Sequence, residues 1–284
     1  MIPFDQLIGG DQLGVRGLRE VEGVTVNYPA SYRREVSTAA ALTEALGKGV
    51  SVILNADIDL GSNILTLDKG QTLDLGGKTL TQSGSNRGVI LKNGASLKNG
   101  VINHSGIVAA VRAWNIESIE NVTINLETPA SGTVTGIAVQ QYSTVGTIKD
   151  VTVQGVGVTQ AIEVAYQATV NLIENVTVDN SAATNGIALV INGGKVGKAK
   201  NCTFKGETYG VTMHLKGVFA VGLELEKCTV EGNTASIYAW DEKGISNTSG
   251  SLTLTYDAET ILTGPFVWDF EDECQSVVTL NRPQ

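Results

Sequence analysis

Several residues in this 284-residue chain are of types that do chemistry, and their spacing decides which kind. Glu163 and His214 are a carboxylate and an imidazole, the groups from which a general acid and a general base are built. Asp269, Glu271, Asp272 and Glu273 crowd hard oxygen donors together as a calcium site does, yet they lack the spacing of a calcium loop. A solvated acidic turn is the plainer reading. Cys202, Cys228 and Cys274 are an odd set without CxxC spacing, which argues against a disulfide framework and a zinc site. Asn121-Val-Thr, Asn175-Val-Thr and Asn201-Cys-Thr match the acceptor triplet for N-glycosylation. What any of these groups does depends on the elements that position it.

Those elements repeat. Five segments align: Ile119-Glu-Asn-Val-Thr-Ile, Ile148-Lys-Asp-Val-Thr-Val, Ile173-Glu-Asn-Val-Thr-Val, Ala199-Lys-Asn-Cys-Thr-Phe and Leu225-Glu-Lys-Cys-Thr-Val. Their starts lie 29, 25, 26 and 26 residues apart. A second series follows, Gly136 to Val139, Ala161 to Val164, Gly186 to Leu189 and Gly210 to Met213. A third, Val145, Val170, Val196 and Val221, keeps the same beat, and degenerate copies precede them near Gln71 and Ala95. Each period holds three short alternating runs separated by Gly, Asn and Asp. Alternation at period two is a strand with one buried face. Stacked repeats would bury Val122/Ile124, Val151/Val153, Val176/Val178, Cys202/Phe204 and Cys228/Val230 as one ladder. Ile137/Val139, Ile162/Val164, Ile187/Leu189 and Val211/Met213 would form another. Cys202 and Cys228 are then small core residues. Asn121, Asp150, Asn175 and Asn201 fall at a corner, where Asn and Asp tolerate turn geometry. The glycosylation-like triplets are therefore read as corner plus strand.

This repeat resembles the right-handed parallel β-helix (pectin-lyase-like) superfamily over roughly residues 50–240. The resemblance implies an all-β, right-handed parallel β-helix solenoid of roughly seven to eight coils, on the order of 35–40 Å long at ~4.8 Å per coil. Many such proteins act on polysaccharides. The pectin-hydrolase branch carries Asn-Thr-Asp, an Asp-Asp pair, Gly-His-Gly and Arg-Ile-Lys, and none of these is present. Pectate lyases use an arginine base beside an acidic calcium cluster. Between residues 37 and 240 the arginines are Arg87 and Arg112, neither in that setting. Outward positions of the second series read Ala138/Gln140, Glu163/Ala165, Ala188/Val190 and Thr212/His214. Glu163 and His214 then stand two coils, about 9.6 Å, apart, at the upper end of the ~6.5–9.5 Å separation of an inverting glycosidase. They are kept as a catalytic alternative. Ala138, Ala165, Ala188, Val190 and Thr212 read instead as a flat contact face of a homotrimer.

The ends of the rod must cover open strand edges. Residues 37–47 read as a capping helix, with Ser37 or Thr38 as N-cap, Leu42 and Leu46 facing the core and Gly47 as the stop. Residues 1–36 are an N-terminal arm for attachment or capping, 37–240 the β-helix, and 241–284 an acidic C-terminal β cap. The net charge of −9 divides as −1, −2 and −6 over these three segments, so the acidity belongs to the tail. Such a charge repels phosphate backbones and excludes nucleic acid as the expected partner. No apolar run approaches the ~18 residues of a membrane helix. The first residues lack a basic region followed by an apolar stretch, so synthesis in a bacterial cytoplasm without a signal peptide is expected. Resemblance to bacteriophage virion β-helix proteins (capsid decoration, head fibre, tailspike-like) implies a non-enzymatic rod. It would be held to other virion proteins by the arm and could contact host surface polysaccharide. A polysaccharide-degrading lyase or hydrolase, and a carbohydrate-binding or adhesion module that is cell-surface or secreted, are the alternatives. No cofactor is expected.

Overall fold

Six successive coils turn their first corner on a single residue with left-handed backbone. Asn99, Asn121, Asp150, Asn175, Asn201 and Lys227 take φ of 61°, 52°, 52°, 53°, 52° and 54° in the computed structural model. That region disfavours side chains with a Cβ, and Asn and Asp bear the cost best. The corner amides also bond from coil to coil. Asn99 donates to Asp74 at 3.0 Å, Asn121 to Asn99 at 3.2 Å, Asn175 to Asp150 at 2.9 Å and Asn201 to Asn175 at 3.3 Å. The three asparagines of the glycosylation-like triplets are all members of this ladder. The structure describes residues 32–83, 88–127, 134–155, 158–217, 219–241, 250–270 and 278–282.

Between corners run three ladders of parallel strands, making a parallel β-helix of about eight turns. The first ladder includes Ser51–Leu54, Thr72–Asp74, Thr144–Lys149, Thr169–Glu174, Lys195–Lys200 and Ala220–Glu226. The second includes Thr79–Gln82, Thr152–Gly155, Thr177–Asn180, Thr203–Gly206 and Thr229–Gly232. Ser96–His104 and Ile116–Leu126 run through the corner and serve both ladders. Among the described residues the third has nine strands, including Val111–Trp114, Val134–Val139, Val158–Val164, Ile187–Asn192, Tyr209–Leu215 and Ala235–Asp241.

The five-segment alignment is the register of the first two ladders. Ile119, Ile148, Ile173, Ala199 and Leu225 are lateral partners, as are Thr123, Thr152, Thr177, Thr203 and Thr229. Ile124, Val153, Val178, Phe204 and Val230 point inward and are fully buried. Each such side chain contributes about 1.5–3 kcal/mol of burial free energy, and stacking makes the core continuous. Outside, Lys149–Glu174, Lys198–Glu224 and Lys200–Glu226 pair at 2.8, 2.8 and 2.9 Å across neighbouring coils. Exposed pairs of this kind add little stability. They keep like charges from facing each other along the rod.

Four expectations change. The helix runs Ala39–Gly47 with Thr38 as N-cap, accepting from the Ala41 amide, but Gly47 is its last residue and the left-handed position is Gly49. Arg33–Val36, placed with the arm, is a first-ladder strand that pairs in register with Ser51–Leu54. Residues 1–31, the rest of the arm, lie outside the described residues. The tail does not leave the repeat, since Ser251–Tyr256, Ile261–Thr263 and Phe266–Asp269 pair with the coil before them. The even spacing of the second and third series also hides two register shifts. Ile162 pairs with Leu189 and not Ile187, because the connection from Asn180 to Ile187 is longer than that from Gly155 to Val158 in the coil before it. Val196 pairs with Leu223 and not Val221, across an irregularity in the ladder.

The corner ladder is measurable. Asn175→Ala keeps the left-handed backbone without its side-chain bonds and should destabilise the chain by about 1–3 kcal/mol in urea unfolding. Asn175→Gly relieves the backbone cost and should destabilise it by less.

Candidate functional site

Among the described residues, polar, charged and aromatic side chains line up over many coils on the outward positions of the third ladder. In register along the rod stand Arg112, Ala138, Glu163, Val190, Thr212 and Tyr238. One outward position on stand Trp114, Gln140, Ala165, Asn192, His214 and Trp240. The two-residue shift at Ile187–Asn192 matters here. It sets Val190 and Asn192, instead of Ala188 and Val190, beside Glu163 and His214.

The lower part of this face is a cavity of about 500 Å³ lined by Arg112, Trp114, Gln140, Gln160 and Glu163, with Ile107 and Val108 along one side. The Arg112 guanidinium lies over the Trp114 ring at 4.8 Å and donates to Gln140 Oε1 at 2.6 Å. Lys92 approaches the same ring at 5.8 Å. An indole between two cations, one of them fixed by an amide, is a stiff cationic and aromatic wall. Glu163 faces it. Burial pushes its carboxyl above the ordinary range, while a hydrogen bond with Asn192 and the charge of Arg112 offset part of that rise.

The upper part is built on Asn192. Its Oδ1 lies 3.1 Å from His214 Nδ1, and its amide favours the charged form of the Glu163 carboxyl. Since the amide nitrogen serves the carboxylate, Oδ1 accepts and His214 Nδ1 donates. The His214 ring lies flat on Trp240 at 4.7 Å with 8° between planes. Trp240 stacks on Tyr238, and Tyr238 on Tyr209, both at 5.1 Å. Tyr238 Oη donates to Asp269 at 2.9 Å. Burial first, and then the neighbouring carboxylate, push that phenol up to about 12.

The structure thus joins Glu163 and His214 through Asn192, two coils apart as the spacing requires. The small residues fare otherwise. Ala138, Ala188, Val190 and Thr212 are buried, and Ala165 is half-buried. Ala188 shares a row with Gly136 and Gly210, whose added Cβ atoms would meet the core side chains Val153 and Val230 at 2.6 Å. Ala138 and Ala165 line the cavity, and Ala188 faces the core side of its strand. Of the acidic cluster, Asp269 is the tyrosine's partner, while Glu271, Asp272 and Glu273 lie outside the described residues. Among the described residues no three His, Cys, Asp or Glu side chains gather as metal ligands.

Arg112, Trp114, Asn192, Tyr238 and Trp240 are the site residues that sequence reasoning missed. A signal for the last two existed. Continuing the second series to Ala235-Ser-Ile-Tyr-Ala-Trp puts Tyr238 and Trp240 at the outward positions. Comparison with family models, with curated proteins and with solved structures finds no match to this chain.

The raised Glu163 carboxyl makes a stability statement. The folded chain holds this proton more tightly than the unfolded one, so stability falls as pH rises from the ordinary value of 4.5 towards the raised value. Glu163→Gln removes that loss. The variant is expected to show a smaller fall in Tm between about pH 4 and about pH 7 than the parent chain, by thermal unfolding at both.

Proposed function

We propose that this protein is a rigid rod that binds polysaccharide along its third ladder. One observation carries the reading: a single outward face holds flat-stacked rings, His214, Trp240, Tyr238 and Tyr209, in line with the Arg112–Trp114–Gln140 wall. Rings stacked on one another turn a row of apolar edges outward, against which the C–H groups of sugars can pack. Fixed amides and charges between them meet hydroxyl groups with defined donors and acceptors. The small floor residues Ala138, Ala165 and Val190 leave room between the platforms.

Binding without cleavage is the better reading of this geometry. Glycoside hydrolysis uses two carboxylates across the scissile bond. Among the described residues that line the cavity, Glu163 is the only carboxylate. Its partners, Asn192 and Arg112, are orienting groups. His214 is spent on Asn192 and on the Trp240 ring. On the bacteriophage virion that the sequence resemblance implies, such a face would meet host surface glycans. The virion setting rests on that resemblance alone.

An array of bacterial capsular and lipopolysaccharide glycans, probed with the purified chain, tests the reading. Retention of at least one glycan is expected, with binding weakened about tenfold or more in Arg112→Ala and in Trp240→Ala while far-ultraviolet circular dichroism is unchanged. If no glycan is held better by the parent chain than by these variants, the proposal fails. Reducing ends released from a retained glycan, and lost in Glu163→Gln, would convert the binder into an enzyme.

A further inference from the structure

Cys202 and Cys228 follow the first corner in successive coils, in the ladder position that earlier coils fill with Val122, Val151 and Val176. Thr203 and Thr229 are in register, and the Thr229 amide donates to the Cys202 carbonyl at 2.8 Å, so the cysteines are lateral neighbours. Neighbouring strands lie ~4.7–4.9 Å apart, inside the ~4.4–6.8 Å Cα separation that a disulfide spans. Both side chains enter the core, at 2% and 1% exposure, on the same inward column of adjacent coils. Each sulfur also reaches a backbone carbonyl, Cys202 that of Lys200 at 3.1 Å and Cys228 that of Ala199 at 3.3 Å. Both are free thiols in this structure. The coils they occupy go on to carry His214 and Trp240, the flat-stacked pair of the candidate site.

We propose that Cys202 and Cys228 form an inter-coil disulfide when the chain folds in the presence of a disulfide oxidant such as oxidised glutathione. One protein thiolate attacks the oxidant, forming a mixed disulfide and releasing one glutathione thiolate. The second protein thiolate then attacks the protein sulfur of that mixed disulfide and releases the other. The protein gives up two electrons and two protons, and the oxidant becomes two thiols. Burial decides the timing. Exchange takes place on the folding chain, before the coils close over both sulfurs, and the closed core then shields the bond from reductants. The link joins residues 26 apart in sequence and so restricts the unfolded chain. It also ties the His214 coil to the Trp240 coil, although it stands independently of the glycan reading.

The test uses the full chain, unfolded in urea with reductant and refolded either with oxidised glutathione or with a phosphine reductant. In the oxidised sample, mapped under non-reducing conditions, a peptide linking Cys202 to Cys228 is expected, with an intact mass lower by two hydrogens. Its Tm should exceed that of the reduced sample by about 5 °C or more. Cys274→Ser should keep both effects, and Cys228→Ser should lose both. Chain produced directly in an oxidising cytoplasm and mapped the same way serves if refolding yields are low. Cys202 and Cys228 recovered as free thiols, as separate glutathione adducts or linked to Cys274 would overturn the proposal.

Discussion

Lateral hydrogen bonding between successive coils, strand on parallel strand, is the constraint from which the rest of this structure follows. Once each coil must match the one beneath it at ~4.8 Å, a residue's place within the repeat selects both its column and its face. Apolar residues at matching places become continuous ladders with no exposed interior edge. The sharp corner between the first two ladders must then recur at the same place in every coil. A left-handed residue placed there coil after coil also brings its amide within reach of the next, so a conformational cost and a stabilising bond arise from one choice of residue. Glycine would meet the first need and forfeit the second.

The same constraint builds the candidate site. Outward residues of the third ladder are forced into two lines along the rod, one beginning at Arg112 and the other at Trp114. Chemistry is assembled along these lines from residues lying 22–27 positions apart in sequence, one or two per coil. Asn192 illustrates how little separates a site from its absence. Two extra residues in the connection before Ile187 carry it into line with His214 and within bonding reach of Glu163. Were the connection to take up two residues fewer and the strand to begin two residues earlier, Val190 would occupy that place and the carboxylate would lose the amide that offsets its burial.

Burial works on both sides of the strand. Inside, it provides the apolar free energy of the core and encloses Cys202 and Cys228 together. Outside, the groove is deep enough to cover Ala138, Val190 and Thr212 and to raise the Glu163 carboxyl, while leaving the aromatic rings partly open. A face with small, covered residues between larger ones is a recess.

By itself the sequence determined the architecture: three strands per coil, the inward residues of the second ladder, the Asn and Asp corner and, apart from the slip that pairs Val196 with Leu223, the register of the first two ladders. It could do so because period-two alternation and a recurring corner residue are local signals, repeated until chance is excluded. The extent of the rod was legible only in part, since Arg33–Val36 and Ser251–Tyr256 pair with the helix without carrying its motif. Tertiary structure alone decided the third ladder's register, and therefore the site. Even spacing between similar motifs does not reveal whether an added residue sits in a loop or a strand. Only the hydrogen bonds between coils settle that, and they put Asn192, not Val190, next to His214.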